Sequence, residues 1–380
     1  MVYLDNAATT QCDPLVIEHM SPFWREHYGN PSSAHFWGRQ ARKAVEDARR
    51  QILTCLEGVG NLIFTGSATE ANNIAVATVG HLIEENAERR RVLVLATEHK
   101  SVLSPLRVLS RGSVVKVDII PVLQSGVVDQ SVLLKILDET VIAVFIQMVN
   151  SETGVIQDVQ HIAAAAHAVG ALCISDITQG VGKLPVNLEA LGVDMAIFSA
   201  HKVYGPKGIG ALYVRPKVPI APIIFGGNQE RGLRSGTENV PAIVGFASAV
   251  TLACEQLNDE MTRIAVLRDM LWNRLAELGR IRWNGEVAPK VSTHLNITID
   301  GVSNQDLMLR VHDIAFSAGS ACNASSNTPS EVLQAMGLSL SEAEQTVRFS
   351  LGRFVTPEDI EYAADRIQRE IVRIRRETCT

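Results

Sequence analysis

The sequence predicts an α/β protein whose mostly parallel sheet lies between helices. Three observations carry that expectation. Apolar runs of strand length, at residues 92–96, 141–148, 171–175 and 195–198, lack the in–out alternation of a sheet with one wet face. Between them, apolar positions recur at helical spacing, so strands and helices take turns along the chain. The length of 380 residues, 46% of them hydrophobic, suffices for one large domain and a smaller one.

Composition excludes several function classes. Charged residues make up only 20% and the net charge is −6, which leaves no basic field for direct nucleic-acid or acidic-lipid binding. No run approaches the roughly 20 uncharged apolar residues of a membrane span. The opening MVYLDNAATT lacks the basic-then-apolar pattern of a secretion signal, so a cytoplasmic protein is expected. Cysteines 12, 55, 173, 254, 322 and 379 form no CxxC pair, which argues against a metal site or a disulfide framework and leaves each as a single thiol.

In chain order, residues 5–10 are small and polar and suit a loop packed closely against its surroundings. Residues 28–38, with Gly29 and Pro31, read as another loop, and 39–56 as an amphipathic helix. A strand at 61–65 leads into Gly66-Ser67-Ala68-Thr69 and a helical pattern at 74–83. That turn is either a helix cap or an anion site, since free N–H groups and the helix dipole point at whatever sits over Ala68 and Thr69. It lacks the glycine spacing and lysine of a Walker loop, so a phosphate outside a nucleotide suits it better. The strand at 92–96 then ends in Thr97-Glu98-His99, the strand at 141–148 in Asn150, and the strand at 171–175, after a helix at 162–169, in Asp176 and Gln179. Residues 195–198 run into Ser199-Ala200-His201-Lys202, a Gly/Pro-rich turn and a further strand at 211–214.

His99, Asn150, Asp176, Gln179, Ser199, His201 and Lys202 all stand at or just after the carboxyl end of a strand, where ligands gather in such sheets. Singly, each has a plain structural explanation: a packed imidazole, a helix cap, a surface amide, a lysine in a turn. Together they are the groups that a pyridoxal phosphate site needs. Lys202, partly desolvated at a strand end, can form a Schiff base with an aldehyde. Asp176 can keep the ring nitrogen protonated so that the ring acts as an electron sink, and His99 can stack on the ring. Gln179 or Asn150 can bond the ring hydroxyl, with the phosphate on Ala68, Thr69, Ser199 and His201.

Farther along, an amphipathic stretch at 249–278, a strand at 294–299 and a helix at 330–336 outline a smaller α+β domain. Residues 15–255 are expected to form the large cofactor-binding domain, and 1–14 with 256–380 the small one. Residues 317–330, rich in Ser, Ala, Gly and Asn, read as a mobile loop exposing Cys322, whereas an isolated cysteine is more often a small buried hydrophobe.

The motifs YLDNAATT, GNPSSAH, GSATEANN, EHKSV, NSETGVIQD, SDITQGVGK, SAHKVYGPKGIGAL, GGNQERGLRSGTENV, SAGSAC and VRFSLGRF resemble, in order, those of the NifS/IscS-type cysteine desulfurases. These belong to the class V branch of fold-type I pyridoxal-phosphate enzymes, and the resemblance spans essentially the whole chain. It implies a seven-stranded large-domain sheet, Lys202 as the Schiff-base lysine, Asp176 at the pyridine nitrogen and His99 on the ring. It also implies Thr237 on the phosphate held by the other subunit of a homodimer. Arg348 and Asn150 would bind the carboxylate end of L-cysteine, which is converted to L-alanine while Cys322 takes the sulfur as a persulfide. The acceptors implied are an iron–sulfur scaffold, a tRNA thiolation enzyme or a DNA phosphorothioation system. No resident metal is implied, although Cys322 could transiently touch an iron–sulfur cluster on a scaffold partner. Ser151, where many relatives carry a second Asn, and the Ile177-Thr178 pair depart from the pattern. Another class V enzyme, such as a selenocysteine lyase or an aminotransferase, or a non-catalytic sulfur carrier on this fold, remains an alternative.

Overall fold

The computed structural model describes residues 1–86, 88–111, 115–319 and 330–378. The chain opens with a two-residue strand, β1 (Val2–Tyr3), and then builds a sheet from β2 (Asn61–Thr65), β3 (Arg91–Leu95), β4 (Lys116–Ile120), β5 (Val141–Phe145), β6 (Leu172–Asp176), β7 (Met195–Ser199) and β8 (Gly210–Val214). The strand order is β2-β8-β7-β6-β5-β3-β4. Every neighbouring pair is parallel except the two that β8 makes, with β2 and with β7. The reversal follows from the connection: residues 200–209 are too few for a crossover helix, and a tight turn with positive φ at Tyr204 (64°) and Gly208 (82°) sends the chain straight back.

Both faces of this sheet are buried, which is why its strands read as unbroken apolar runs. Leu62, Phe64, Leu93 and Leu95 join one core with helices Phe36–Cys55, Val159–Ala168 and Val240–Glu255. Their neighbours Ile63, Val92 and Val94 point the other way, against helices Ala68–Glu85 and Lys100–Ser110.

A third core belongs to a three-stranded antiparallel sheet of order β12-β10-β9, formed by β9 (Ile281–Trp283), β10 (His294–Ile299) and β12 (Thr346–Ser350). Helices Leu257–Ala276 and Pro357–Thr378 pack on it, and Val2 and Leu4 from the start of the chain contribute to the same core. There β1 pairs in parallel with β11 (Ile314–Ala315), and Asp5 bridges to Ser350. The stretch expected as one amphipathic segment over 249–278 is instead two helices, Val240–Glu255 and Leu257–Ala276, bent by 73° about Gln256. The first of them is apolar almost all round and sits in the core. Among the described residues no single helix is long and apolar enough to cross a membrane.

Candidate active site

The carboxyl ends of β2, β3, β6 and β7 open on one cavity of about 230 Å³. At one end lies the turn after β2. Ser67 caps helix Ala68–Glu85 by accepting the Glu70 N–H at 3.1 Å, while the Glu70 carboxylate accepts from Gly66 N at 2.8 Å and from Arg234 Nε at 2.7 Å. The first-turn N–H groups of Ala68 and Thr69 have no acceptor within the helix, and Ser67, Ala68 and Thr69 line the cavity. Strand β8 runs directly beneath this turn. A Cβ on Gly210 would lie 2.6 Å from the Ser67 carbonyl carbon and 2.8 Å from Ala68 N, so only glycine permits the approach.

His201 borders the same cavity, with Nδ1 3.1 Å from Thr9 Oγ1. Burial and then the charges of Lys202, Lys207 and Lys183 push its pKa down to about 4, so the imidazole is neutral at physiological pH.

Asp176 ends β6. Its Oδ2 accepts from Asn72 Nδ2 at 3.0 Å and its Oδ1 from Thr178 N at 3.0 Å. The other Asn72 amide hydrogen goes to Ser101 Oγ at 2.9 Å. Ser101 Oγ lies 2.8 Å from His99 Nδ1, which also accepts from Ser101 N at 3.1 Å. Because Nδ1 accepts from Ser101 N, the ring hydrogen sits on Nε2. Beneath them Glu98 is fully buried, and desolvation and then the nearby Asp176 raise its pKa well above the usual value. Asp176 is the carboxylate that faces the cavity.

Lys202 follows β7 in a single 3-10 turn, Ala200–Lys202. Its Nζ donates to the carbonyls of Ala7 and Ala8, both at 2.6 Å. Gln179 donates from Nε2 to Ala7 O at 2.9 Å and accepts at Oε1 from Lys183 Nζ at 3.0 Å. The amide is therefore fixed, with one N–H still available to the cavity that Gln179 lines. Arg348, on β12, closes the remaining side. It is 1% exposed, and its guanidinium donates to Asp5 Oδ1 at 2.6 Å and to Ser151 O at 2.9 Å. Of its five N–H groups, others stay available to a bound anion.

Ala68, Thr69, His99, Asp176, Gln179, His201, Lys202 and Arg348 thus share one cavity. Three of the residues singled out in the sequence stand apart from it. Asn150 does not line it: Oδ1 accepts from Glu152 N, Thr153 N and Thr153 Oγ1, and Nδ2 donates one hydrogen to Thr97 O. Gln147 borders the cavity in its place. Ser199 gives its hydroxyl to Ile209 O at 3.2 Å. Thr237 is exposed on a separate cavity that also touches Gly66, Glu230 and Arg234. Cys322 lies outside the described residues. Among those described, no group of three or more His, Cys, Asp or Glu side chains could hold a metal ion. Asn72, Ser101, Lys183 and Asp5 were missed from the sequence: Asn72 and Asp5 act on partners far away along the chain, and Ser101 and Lys183, although near His99 and Gln179 in sequence, show their roles only through burial against them.

The donor set fits pyridoxal phosphate. A primary amine, a carboxylate, a ring-stacking imidazole and a helix N-terminus with unpaired N–H groups face one space, in which Gly210 leaves room for the phosphate-side turn. The fold and this site define a pyridoxal-phosphate enzyme, and the chain belongs to the family described as Aminotransferase class-V, whose profile matches residues 2–363. Within that family it stands with the cysteine desulfurases. It is 40% identical to the cysteine desulfurase IscS of Edwardsiella ictaluri over 383 residues, which cover 98% of this chain and 93% of the relative. A solved NifS-like protein superposes with a TM-score of 0.91 at 37% identity, covering 98% of this chain and 99% of its own. The structure of SspA in complex with cysteine superposes with a TM-score of 0.82 at 33% identity, covering 92% of this chain and 99% of its own. The protein is accordingly a pyridoxal-phosphate-dependent cysteine desulfurase acting on L-cysteine.

Proposed function

We propose that this cavity converts L-cysteine to L-alanine and that Cys322 carries the sulfur away as a persulfide. The observation that carries the assignment of roles is the convergence of Lys202, Asp176, His99 and the Ala68 helix end on one space with Arg348 at its rim. When bound, the cofactor supplies a conjugated ring that takes up electron density from the substrate Cα. The chain does the rest.

Ala68 and Thr69 N–H groups, with neutral His201, hold the phosphate. Asp176, kept in place by Asn72 and Thr178, faces the ring nitrogen, and Gln179 offers an N–H to the ring hydroxyl. Arg348 takes the substrate carboxylate through its remaining N–H groups, with Asp5 and Ser151 fixing the plane of the guanidinium. Lys202 Nζ accepts the Cα proton. His99 Nε2 is the second site at which a proton can be held, because Nδ1 is occupied by Ser101. The Cys322 thiolate attacks the substrate sulfur: an S–S bond forms, the Cβ–S bond breaks with its electron pair left on carbon, and one proton delivered to Cβ and one returned to Cα complete alanine.

The reading includes a homodimer in which Thr237 reaches the partner's phosphate; its support is the family resemblance together with the exposure of Thr237. It includes a large domain of residues 15–255, a small one of 1–14 with 256–380, a cytoplasmic location, and an acceptor protein, either an iron–sulfur scaffold or a thiolation enzyme. The test is a single turnover with L-cysteine, following alanine and the mass of the Cys322 peptide, with Cys322→Ala in parallel. Alanine with a sulfur-heavier peptide, both lost in the variant, is the expected result. Normal alanine output from the variant would remove Cys322 from its role.

A further inference from the structure

Two of the six cysteines taken from the sequence as single thiols are neighbours. Cys55 ends helix Phe36–Cys55, and Cys254 lies in the last turn of helix Val240–Glu255, which packs along it. The Cys254 thiol lies 3.7 Å from the Cys55 carbonyl oxygen, and Cys55 Sγ lies 3.6 Å from the hydroxyl of Thr251, one turn before Cys254. Both residues are half-buried. Neither touches the cavity described above.

We propose that Cys55 and Cys254 form a redox site, in which a hydroperoxide converts the pair to an intramolecular disulfide and a small thiol, such as the substrate L-cysteine itself, restores it. Cys55 is the attacking member. The adjacent Cys254 and the Thr251 hydroxyl outweigh burial and the charge of Glu255 and bring its pKa down to about 6, whereas the proximity of Cys55 and then burial raise that of Cys254. Both sulfurs sit at helix C-terminal ends, where the dipole opposes a thiolate, so the activation comes from these local donors. The surroundings of Cys173 are the opposite: it is fully buried, and desolvation and then Asp194 lift its thiol above the reactive range.

The Cys55 thiolate attacks one peroxide oxygen, so that an S–O bond forms, the O–O bond breaks and water or an alcohol leaves. Cys254 sulfur then attacks Cys55 sulfur: the S–S bond forms, the S–O bond breaks, and hydroxide leaves with the Cys254 proton as water. Two thiols lose two electrons and the peroxide gains them. Two small thiols reverse the change by successive exchange, leaving as their own disulfide. The new bond would tie the end of one core helix to the other, two residues before the break at Gln256.

The test treats the holoenzyme with hydrogen peroxide, caps the remaining thiols, and maps peptides without reductant. The expected map joins the Cys55 and Cys254 peptides with the loss of two hydrogens, and dithiothreitol separates them. Cys254→Ser loses the cross-link and accumulates oxygen on Cys55, while Cys55→Ser leaves Cys254 a free thiol. Oxidised wild type melts at a higher temperature than reduced wild type; both variants lose that shift, and their reduced melting curves report whether they fold. Complete capping of both thiols after peroxide, stable oxygen adducts on Cys55 beside an intact Cys254, or an equal melting shift in Cys254→Ser would overturn the proposal.

Discussion

With one amide hydrogen on Asp176 and the other on Ser101, Asn72 couples the Asp176 carboxylate to the His99 imidazole. Asn72→Leu should leave the fold intact and weaken cofactor binding by about tenfold, equivalent to ~1.4 kcal/mol, as read by titrating apoprotein with pyridoxal phosphate. Lys202→Ala should abolish the visible absorption that the loaded enzyme owes to its lysine, and an unchanged spectrum would remove Lys202 from its role. Lys183 carries a pH signature of its own. Burial first, then the charge of Lys202, lowers its pKa from 10.5 to about 7 in the folded chain. Between those values the unfolded chain holds a proton that the folded chain lacks, so stability rises with pH through that window, by up to ~5 kcal/mol from this group alone. Urea midpoints of wild type against Lys183→Met should therefore draw together or cross as pH climbs from 7 toward 10. A constant gap would refute the shift. Lys202, Asp176 and His99 were legible in the sequence because strand ends announce themselves. Asn72 and Lys183 were not: a mid-helix asparagine and a buried lysine show their purpose only once Asp176 and Gln179 stand beside them.

At the level of elements, the turn between β2 and its helix joins stability to ligand binding. Ser67→Ala removes the N-cap and should cost about 1 kcal/mol in unfolding free energy. Gly210→Ala should instead spare much of the stability and displace the Ser67-Ala68 backbone, and so lower phosphate retention more than it lowers the melting temperature. A titration of each apoprotein with pyridoxal phosphate, set beside its melting curve, separates the two effects. The central strands could be read from sequence because both of their faces are buried. Strand β4 could not: at the edge of the sheet only its final Ile120 is buried, and Lys116 and Asp118 interrupt the apolar signal. The break at Gln256 escaped notice because helical periodicity carries on through it and only the backbone angles there, φ −97° and ψ 1°, depart from the helix.

Across the whole molecule, residues 5–13 stitch distant parts of the chain together. Asp5 holds Arg348, Asn6 and Ala7 bond Ser350, the Ala7 and Ala8 carbonyls receive Lys202, Thr10 binds the His201 carbonyl, and Asp13 pairs with Arg353. Asp5→Asn weakens the grip on Arg348 and should raise KM for L-cysteine severalfold with little change in kcat. A proportionate fall in kcat at unchanged KM would place Asp5 elsewhere in the reaction. In the sequence this segment shows only as a row of small polar residues. Its meaning depends on partners almost two hundred and almost three hundred and fifty positions away.

That stitching has a consequence for synthesis. Val2, Tyr3, Asn6 and Ala7 leave the ribosome long before β11 and Ser350 of β12, to which they are fastened. Until those strands emerge, Lys202 has no carbonyls from Ala7 and Ala8 to hold its amine and Arg348 does not yet exist. A chain arrested during translation can therefore form the central sheet, domain by domain, without assembling the pocket. Sulfur chemistry that needs Arg348 waits for β12.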